Sequence, residues 1–167
     1  QTKYSRGGDG RLTLKGAVRE LLATEFLTSL GVPTSQTFSI IETAEELQRN
    51  DEPSPTRSAV LVRRSNSHIR IGTFQRLKYF NEYDNIALLL NHLSENYFTN
   101  IKSKKSIKIK AENIFLEIVK RIAESIGRII ISGFVHGVLN TDNFNVTGEV
   151  FDYGPWRFIE FANSFFT

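Results

Sequence analysis

Acids, amides and a histidine gather in one stretch of this sequence, His136-Gly-Val-Leu-Asn-Thr-Asp142-Asn143, followed by Phe151-Asp152-Tyr153-Gly154. Asn143 stands seven residues after His136, and Asp152 nine residues after Asn143. An amide oxygen and a carboxylate are hard donors of the kind Mg²⁺ takes, and Mg²⁺ neutralises charge on nucleotide phosphates while keeping waters of its own. Asp142, beside the amide, is a carboxylate that could accept a hydroxyl proton. The competing reading is a capping Asp in a loop and a surface Asp-Tyr-Gly turn, because motifs this short recur by chance.

Two further clusters could meet an anion. In Tyr4-Ser-Arg6-Gly-Gly-Asp9-Gly10-Arg11, adjacent glycines let backbone N–H groups approach a phosphate and arginines bind it by their fork geometry; the alternative is a β-turn before a helix. In Val62-Arg63-Arg64-Ser-Asn-Ser-His68-Ile-Arg70-Ile-Gly72-Thr-Phe74, Ser-Asn-Ser reads as a turn that could bring Arg63 and Arg70 to one phosphate cluster; the alternative is a hairpin with solvated arginines. The three histidines, His68, His92 and His136, are scattered and lack metal-ligand spacing.

These residues need elements to hold them. With 167 residues, 40% of them hydrophobic, the chain can bury a core as one domain or a large part of one. Zero cysteines exclude a disulfide framework, a thiolate zinc site and a thiol nucleophile. Methionine is absent even at position 1, so the sequence is expected to be a piece of a longer polypeptide. No apolar run reaches the ~20 residues of a membrane span and no secretory signal is visible, so a cytoplasmic location and no membrane partner are expected. A net charge of +3 is far from the field of a dedicated nucleic-acid binder, and no nucleic-acid partner is expected. The acidic cluster Glu42, Glu45, Glu46, Asp51, Glu52 and the basic run Lys102 to Lys110 read as solvated segments.

Periodicity predicts a helix over 14–30 with Leu14, Val18, Leu21, Leu22 and Leu30 as its apolar positions, stopped by Gly31. Strands are predicted at 36–41 and 57–63, with a short helix at 43–48 between them, capped by Thr43 with Glu46 three residues on. A third extended stretch covers 67–74. Helices follow at 83–97, with Ile86, Leu89, Leu90 and Leu93 on one face, and at 111–131, with Ile114, Phe115, Ile118, Val119, Ile122, Ile126, Ile129 and Ile130. An irregular segment from 134 to 148 leads to a short strand at 149–153. The order predicts an α+β fold with a few N-terminal strands and a helical second half.

The loop and its Asp-Tyr-Gly resemble the catalytic loop and metal-binding strand end of kinases, except that Val138 stands where kinases carry their base Asp. The segments together, Tyr-Ser-Arg-x-Gly-Asp-Gly-Arg, Val18-Arg-Glu20-Leu-Leu-Ala-Thr-Glu, Leu30-Gly-Val-Pro-Thr, Ser67-His-Ile-Arg-Ile-Gly-Thr-Phe and Gly133-Phe-Val-His-Gly-Val-Leu-Asn-Thr-Asp-Asn with Phe-Asp-Tyr-Gly-Pro, resemble the selenoprotein O (SelO, also called YdiU) pseudokinases along nearly the whole chain. The resemblance implies a partial protein-kinase-like fold, with residues 1–80 N-lobe-like and 81–167 C-lobe-like. It implies an enzyme that binds ATP inverted and, with Mg²⁺, transfers AMP to Ser, Thr or Tyr hydroxyls of proteins.

By the same resemblance Asp9 and Gly10 would contact the nucleotide, Arg63 and Arg70 its phosphates, and Asp142 would accept the proton. Asn143 and Asp152 would hold Mg²⁺, Asp152 also meeting the nucleotide. Glu20 matches a glutamate that pairs with a lysine lying upstream of the matched segment in the family, so it is expected to have no partner here, and activity of this piece stays open. Two other readings remain: a phosphotransferase using Asp142, and a non-catalytic nucleotide-binding remnant.

Overall fold

The structure, a computed structural model, describes residues 9–101 and 106–159. Thr13 begins the first helix by accepting the Gly16 backbone N–H on its hydroxyl at 3.0 Å, satisfying one of the orphan donors of the first turn. That helix, α1 (Leu14–Ser29), follows the two-residue strand β1 (Leu12–Thr13). It ends where Gly31, at φ +71°, takes the left-handed conformation and Val32 N–H returns to the Leu27 carbonyl at 2.9 Å.

The helix is where periodicity places it, but it buries a different face. Ala17, Ala23, Thr24 and Leu27 are buried, whereas Val18, Leu22 and Leu30 are exposed. Small side chains let the helix come close to the strand layer and to the loop beyond it, and that contact is drawn by long-range packing that a leucine count does not register.

Strands β2 (Gln36–Leu47) and β3 (Thr56–Arg64) pair antiparallel, and β1 adds to the other edge of β3, giving the order β1-β3-β2. The helix expected at 43–48 does not form. Strand β2 runs through it, with an irregularity between Glu42 and Glu46 where Ala44 sits at φ 59°, and pairing resumes as Glu46 with Arg57 and Leu47 with Thr56. Cross-strand ladder bonds outweigh a local capping box, and Thr43 uses its hydroxyl against that of Ser58 instead. Three of the five residues of the acidic cluster are paired: Glu42 with Arg57 at 3.3 Å, Glu45 with Arg11 at 2.8 Å and Glu52 with Lys15 at 3.7 Å.

The stretch 67–74 is not one extended segment either. Arg70 makes a single bridge to Asn145, and helix α2 (Gly72–Tyr79) starts two residues later. Helices α3 (Tyr83–Asn96) and α4 (Ile107–Ile131) follow. On α3, Leu90 and Leu93 are buried and Ile86 and Leu89 pack against them; on α4, Ile114, Ile118 and Ile129 are buried while Phe115, Val119 and Ile130 face out. Lys108 and Lys110 of the basic run lie in α4, where Lys110 donates to Asn91 Oδ1 at 2.7 Å, and Lys102 to Lys105 lie outside the described residues. Strands β4 (Phe134–Val135) and β5 (Arg157–Phe158) form a separate pair that closes the loop between them. The strand expected at 149–153 reduces to isolated bridges from Val150 to Thr34 and Phe144. The architecture is mixed α+β, as the order of elements predicts. Among the described residues no helix is long and apolar enough to cross a membrane.

Two clusters make the core. One joins Ala23, Leu27 and Val32 to Ile129, Phe134, Phe144, Val150 and Tyr153; the other joins Leu90, Leu93 and Phe98 to Ile114, Ile118 and Val146. Loop residues therefore sit in both cores. Leu27→Ala removes a side chain with no exposed area and is expected to cost about 2–5 kcal/mol in denaturant unfolding, whereas Phe38→Ala, on a side chain 78% exposed, is expected to change stability by less than about 0.5 kcal/mol.

Candidate functional site

The segment from Asn140 to Trp156 carries most of the candidate chemistry, and the fold fixes it from three sides. Backbone N–H groups of Ile71 and Gly72 donate to the carbonyls of Phe144 and Thr141 at 3.2 and 3.0 Å, Val146 N–H donates to Ile69 O at 2.9 Å, and Ser35 N–H donates to Val150 O at 3.0 Å. Phe151 N–H reaches back to Asn143 O at 3.1 Å, so the two halves of the segment lie side by side.

Tyr153 is fully buried beneath α1. Its hydroxyl meets Thr24 Oγ1 at 3.0 Å and also Thr34 Oγ1, and burial pushes its pKa up to about 12. His136 holds the residue before it. Val138 N–H donates to His136 Nδ1 at 3.1 Å, so Nδ1 must be the acceptor and the ring proton sits on Nε2, which donates to Asp152 O at 2.5 Å. Burial keeps the His136 pKa below its ordinary value, in agreement with a neutral ring. With its backbone clamped, the Asp152 side chain is exposed, and its Oδ1 accepts only the Gly154 N–H at 3.3 Å among the described residues.

Asp152 borders a cavity of about 380 Å³ lined also by Leu12, Gly16, Arg19, Glu20, Leu61, Arg63, Phe151 and Gly154. Across it Glu20 of α1 and Arg63 of β3 form an ion pair, so Glu20, expected to stand alone, has a partner supplied by the neighbouring strand. Burial is the dominant influence on Glu20 and raises its pKa, with the Arg63 charge pulling the other way. Arg63 also lies over the Tyr153 ring at 5.5 Å.

The other candidate residues are placed as follows. Arg70 stacks over Phe151 at 5.0 Å, so the two arginines flank the Phe151-Asp152-Tyr153 tripeptide on successive rings, with only Arg63 on the cavity wall. Asp142 is exposed and lies against Gly72, where an added Cβ would make its Oδ1 shift. Asn143 is buried, and its Oδ1 accepts the Asn140 N–H at 3.0 Å while keeping a second lone pair. Asp9 is not among the residues lining the cavity and is engaged by arginine: Arg49 donates to both its oxygens at 2.7 and 3.2 Å and Arg11 N–H to one of them at 3.0 Å, holding its carboxyl below the usual range, the Arg11 N–H foremost. Gly10, at φ 71°, turns the chain two residues before Leu12 on the cavity wall. Residues 1–8, which include Arg6 and the first two glycines of that cluster, lie outside the described residues.

The donor set suits a hard cation. Asn143 and Asp152 offer one amide oxygen and one exposed carboxylate on segments joined by the Phe151 N–H to Asn143 O bond, and Mg²⁺ is commonly held by one or two such groups with phosphate and water completing its shell. Among the described residues no three His, Cys, Asp or Glu side chains are grouped to hold a metal, so phosphate or water would have to complete it.

Sequence reading missed Glu149. Its buried carboxylate accepts from Ser65 Oγ at 2.7 Å, Asn66 N at 3.2 Å, Asn66 Nδ2 at 2.5 Å and Thr147 Oγ1 at 2.8 Å, tying the end of β3 to the loop. A charged residue in a polar stretch carries no sequence signal of burial.

His136 gives a pH prediction. A base whose folded pKa lies below its unfolded value of 6.5 leaves stability intact above that value and costs stability as pH falls through it towards the folded pKa. Thermal midpoints measured from pH 8 to 5 are expected to show a fall in the parent that is smaller in His136→Gln, with the two curves converging in shape above pH 7.

The comparisons agree with this arrangement of motifs. The family model described as "Protein adenylyltransferase SelO" matches residues 1–167. The chain is 53% identical to "Protein nucleotidyltransferase YdiU" of Trichormus variabilis over 100% of its length and 34% of the relative's, and 52% identical to the Synechocystis protein of that name over 95% and 33%. The same-named protein of Clostridium botulinum is 36% identical over 96% of the chain and 31% of its own length. The chain thus spans about a third of the curated relatives it matches. A family match along every residue, running through the loop that presents Asp142, Asn143 and Asp152, makes this chain a member of the SelO protein adenylyltransferase family.

Proposed function

We propose that the chain carries the metal and phosphate side of a protein adenylyltransferase site, in a kinase-like fold with residues 1–80 as the N-lobe-like part and 81–167 as the C-lobe-like part. The observation that carries this reading is the cavity lined together by Glu20, Arg63 and Asp152, with Asn143 one backbone hydrogen bond away through Phe151 and Asp142 next to it in sequence. In this reading ATP is the substrate, its phosphates lie against Arg63 and Arg70, and Asp9 and Gly10 meet the nucleotide from the β1 side.

Asn143 and Asp152 would hold Mg²⁺, which offsets charge on the phosphates when bound. A protein Ser, Thr or Tyr hydroxyl attacks the α-phosphorus, forming an O–P bond as the bond to the β-phosphate oxygen breaks and pyrophosphate leaves. Asp142 takes the hydroxyl proton. Its exposed carboxylate, beside the rigid turn at Gly72, is open to an incoming chain. Arg63 and Arg70 hold negative charge on the leaving pyrophosphate side by fork geometry.

Incubation with a hydroxyl-bearing acceptor protein and Mg²⁺ is expected to leave label from α-labelled ATP, and none from γ-labelled ATP, on the acceptor. Asp142→Asn is expected to lower transfer by about 10²–10⁴-fold while nucleotide binding persists. Transfer of γ-label alone would replace this reading with phosphotransfer, and no Mg-dependent nucleotide binding by the folded chain would replace it with a non-catalytic role.

A further inference from the structure

The cavity beside Asp152 contains two arginines whose charges are not equally available. Arg63 is held by the Glu20 carboxylate, so the pair presents no net charge, and any anion reaching Arg63 must compete with a half-buried carboxylate already in place. Arg19, one residue earlier on α1, lines the same cavity. Its guanidinium lies over the Trp156 ring at 4.7 Å and donates from Nη2 to Trp156 O at 3.1 Å. Both partners are neutral, and among the described residues Arg19 makes no ion pair.

Local geometry leaves room for a ligand there. Gly16 lies one turn before Arg19 and Glu20 and lines the cavity with them, and a Cβ at that position would already press on Leu12 Cδ1 at 3.0 Å and Thr13 Oγ1 at 3.2 Å. Stacking on Trp156 fixes the plane of the guanidinium, which has five N–H donors and uses one on the carbonyl, so a fork is pre-oriented before an anion arrives.

We propose that Arg19 is a phosphate-binding residue of this cavity, supplying an uncompensated cation for a nucleotide polyphosphate beside Arg63, whose charge Glu20 offsets. This rests on the reading of the cavity as the nucleotide site. Arg19 and Asp152 line the same cavity, so an Asp152-held cation and Arg19 could both reach one polyphosphate. The Val18-Arg-Glu20 stretch then contributes a binding group as well as the acid.

Calorimetric titration of the chain with Mg²⁺ and AMP, ADP, ATP or inorganic tripolyphosphate tests this, in the parent, Arg19→Gln, Arg19→Lys and Asp152→Ala. Arg19→Gln is expected to weaken ATP and tripolyphosphate about tenfold or more and AMP much less, with Arg19→Lys intermediate because it keeps charge and loses the fork. A loss of equal size for AMP, ADP and ATP would make Arg19 a structural clamp on Trp156 and overturn the proposal. So would unchanged ATP affinity in Arg19→Gln while Asp152→Ala loses it, a result that leaves the nucleotide site standing. A parent that binds neither ATP nor tripolyphosphate would overturn both.

Discussion

Tyr153 has nowhere to put its hydroxyl except between Thr24 and Thr34, and that requirement orders much of the site. A phenol buried to zero exposure must find hydrogen-bond partners or cost free energy, and here they come from α1 and from the turn before β2. Once Tyr153 is locked inward, its neighbour Asp152 faces outward, and the His136 ring fixes the Asp152 carbonyl from below. The same ring of Tyr153 supports Arg63, which in turn engages Glu20. One buried side chain thereby links α1, β3 and the loop that carries Asp152.

In the proposed reading, the charges lining that cavity suit an anion that brings its own cation. Glu20 and Arg63 cancel, and among the described residues neither Asp152 nor Arg19 makes an ion pair, Arg19 meeting an aromatic face and a carbonyl. An isolated polyphosphate would meet the Asp152 charge unfavourably, whereas a magnesium-bound one brings charge of the opposite sign to that carboxylate. Burial raises the Glu20 pKa while the Arg63 charge and hydrogen bond pull it down, so the pair is held by opposing influences.

The sequence made α3 and α4 readable because their apolar residues repeat at helical spacing over several turns and bury most of that stripe. Helix α1 was readable in extent but not in orientation, because its buried face is made of Ala17, Ala23 and Thr24, residues that no hydrophobic count favours. The capping box at Thr43 gave way to pairing with β3, a partner that local sequence does not reveal. At the site, the spacing of His136, Asp142, Asn143 and Asp152 pointed to one loop. The Glu20–Arg63 pair spans 43 residues, the Arg19–Trp156 contact 137 and the Asn66–Glu149 contact 83, and such contacts exist only once the chain has folded.

Paramagnetic line broadening tests the central claim most directly, because Mn²⁺ in place of Mg²⁺ relaxes nearby nuclei in proportion to their closeness. Titrating the ¹⁵N-labelled chain with Mn²⁺ and ATP is predicted to broaden the amides of Asn143 and of residues 151–154 first, followed by those of Arg19 and Glu20, and to leave the Glu149 network sharp. Broadening centred on Glu149 or on the acidic residues of β2, with Asp152 unaffected, would contradict the account.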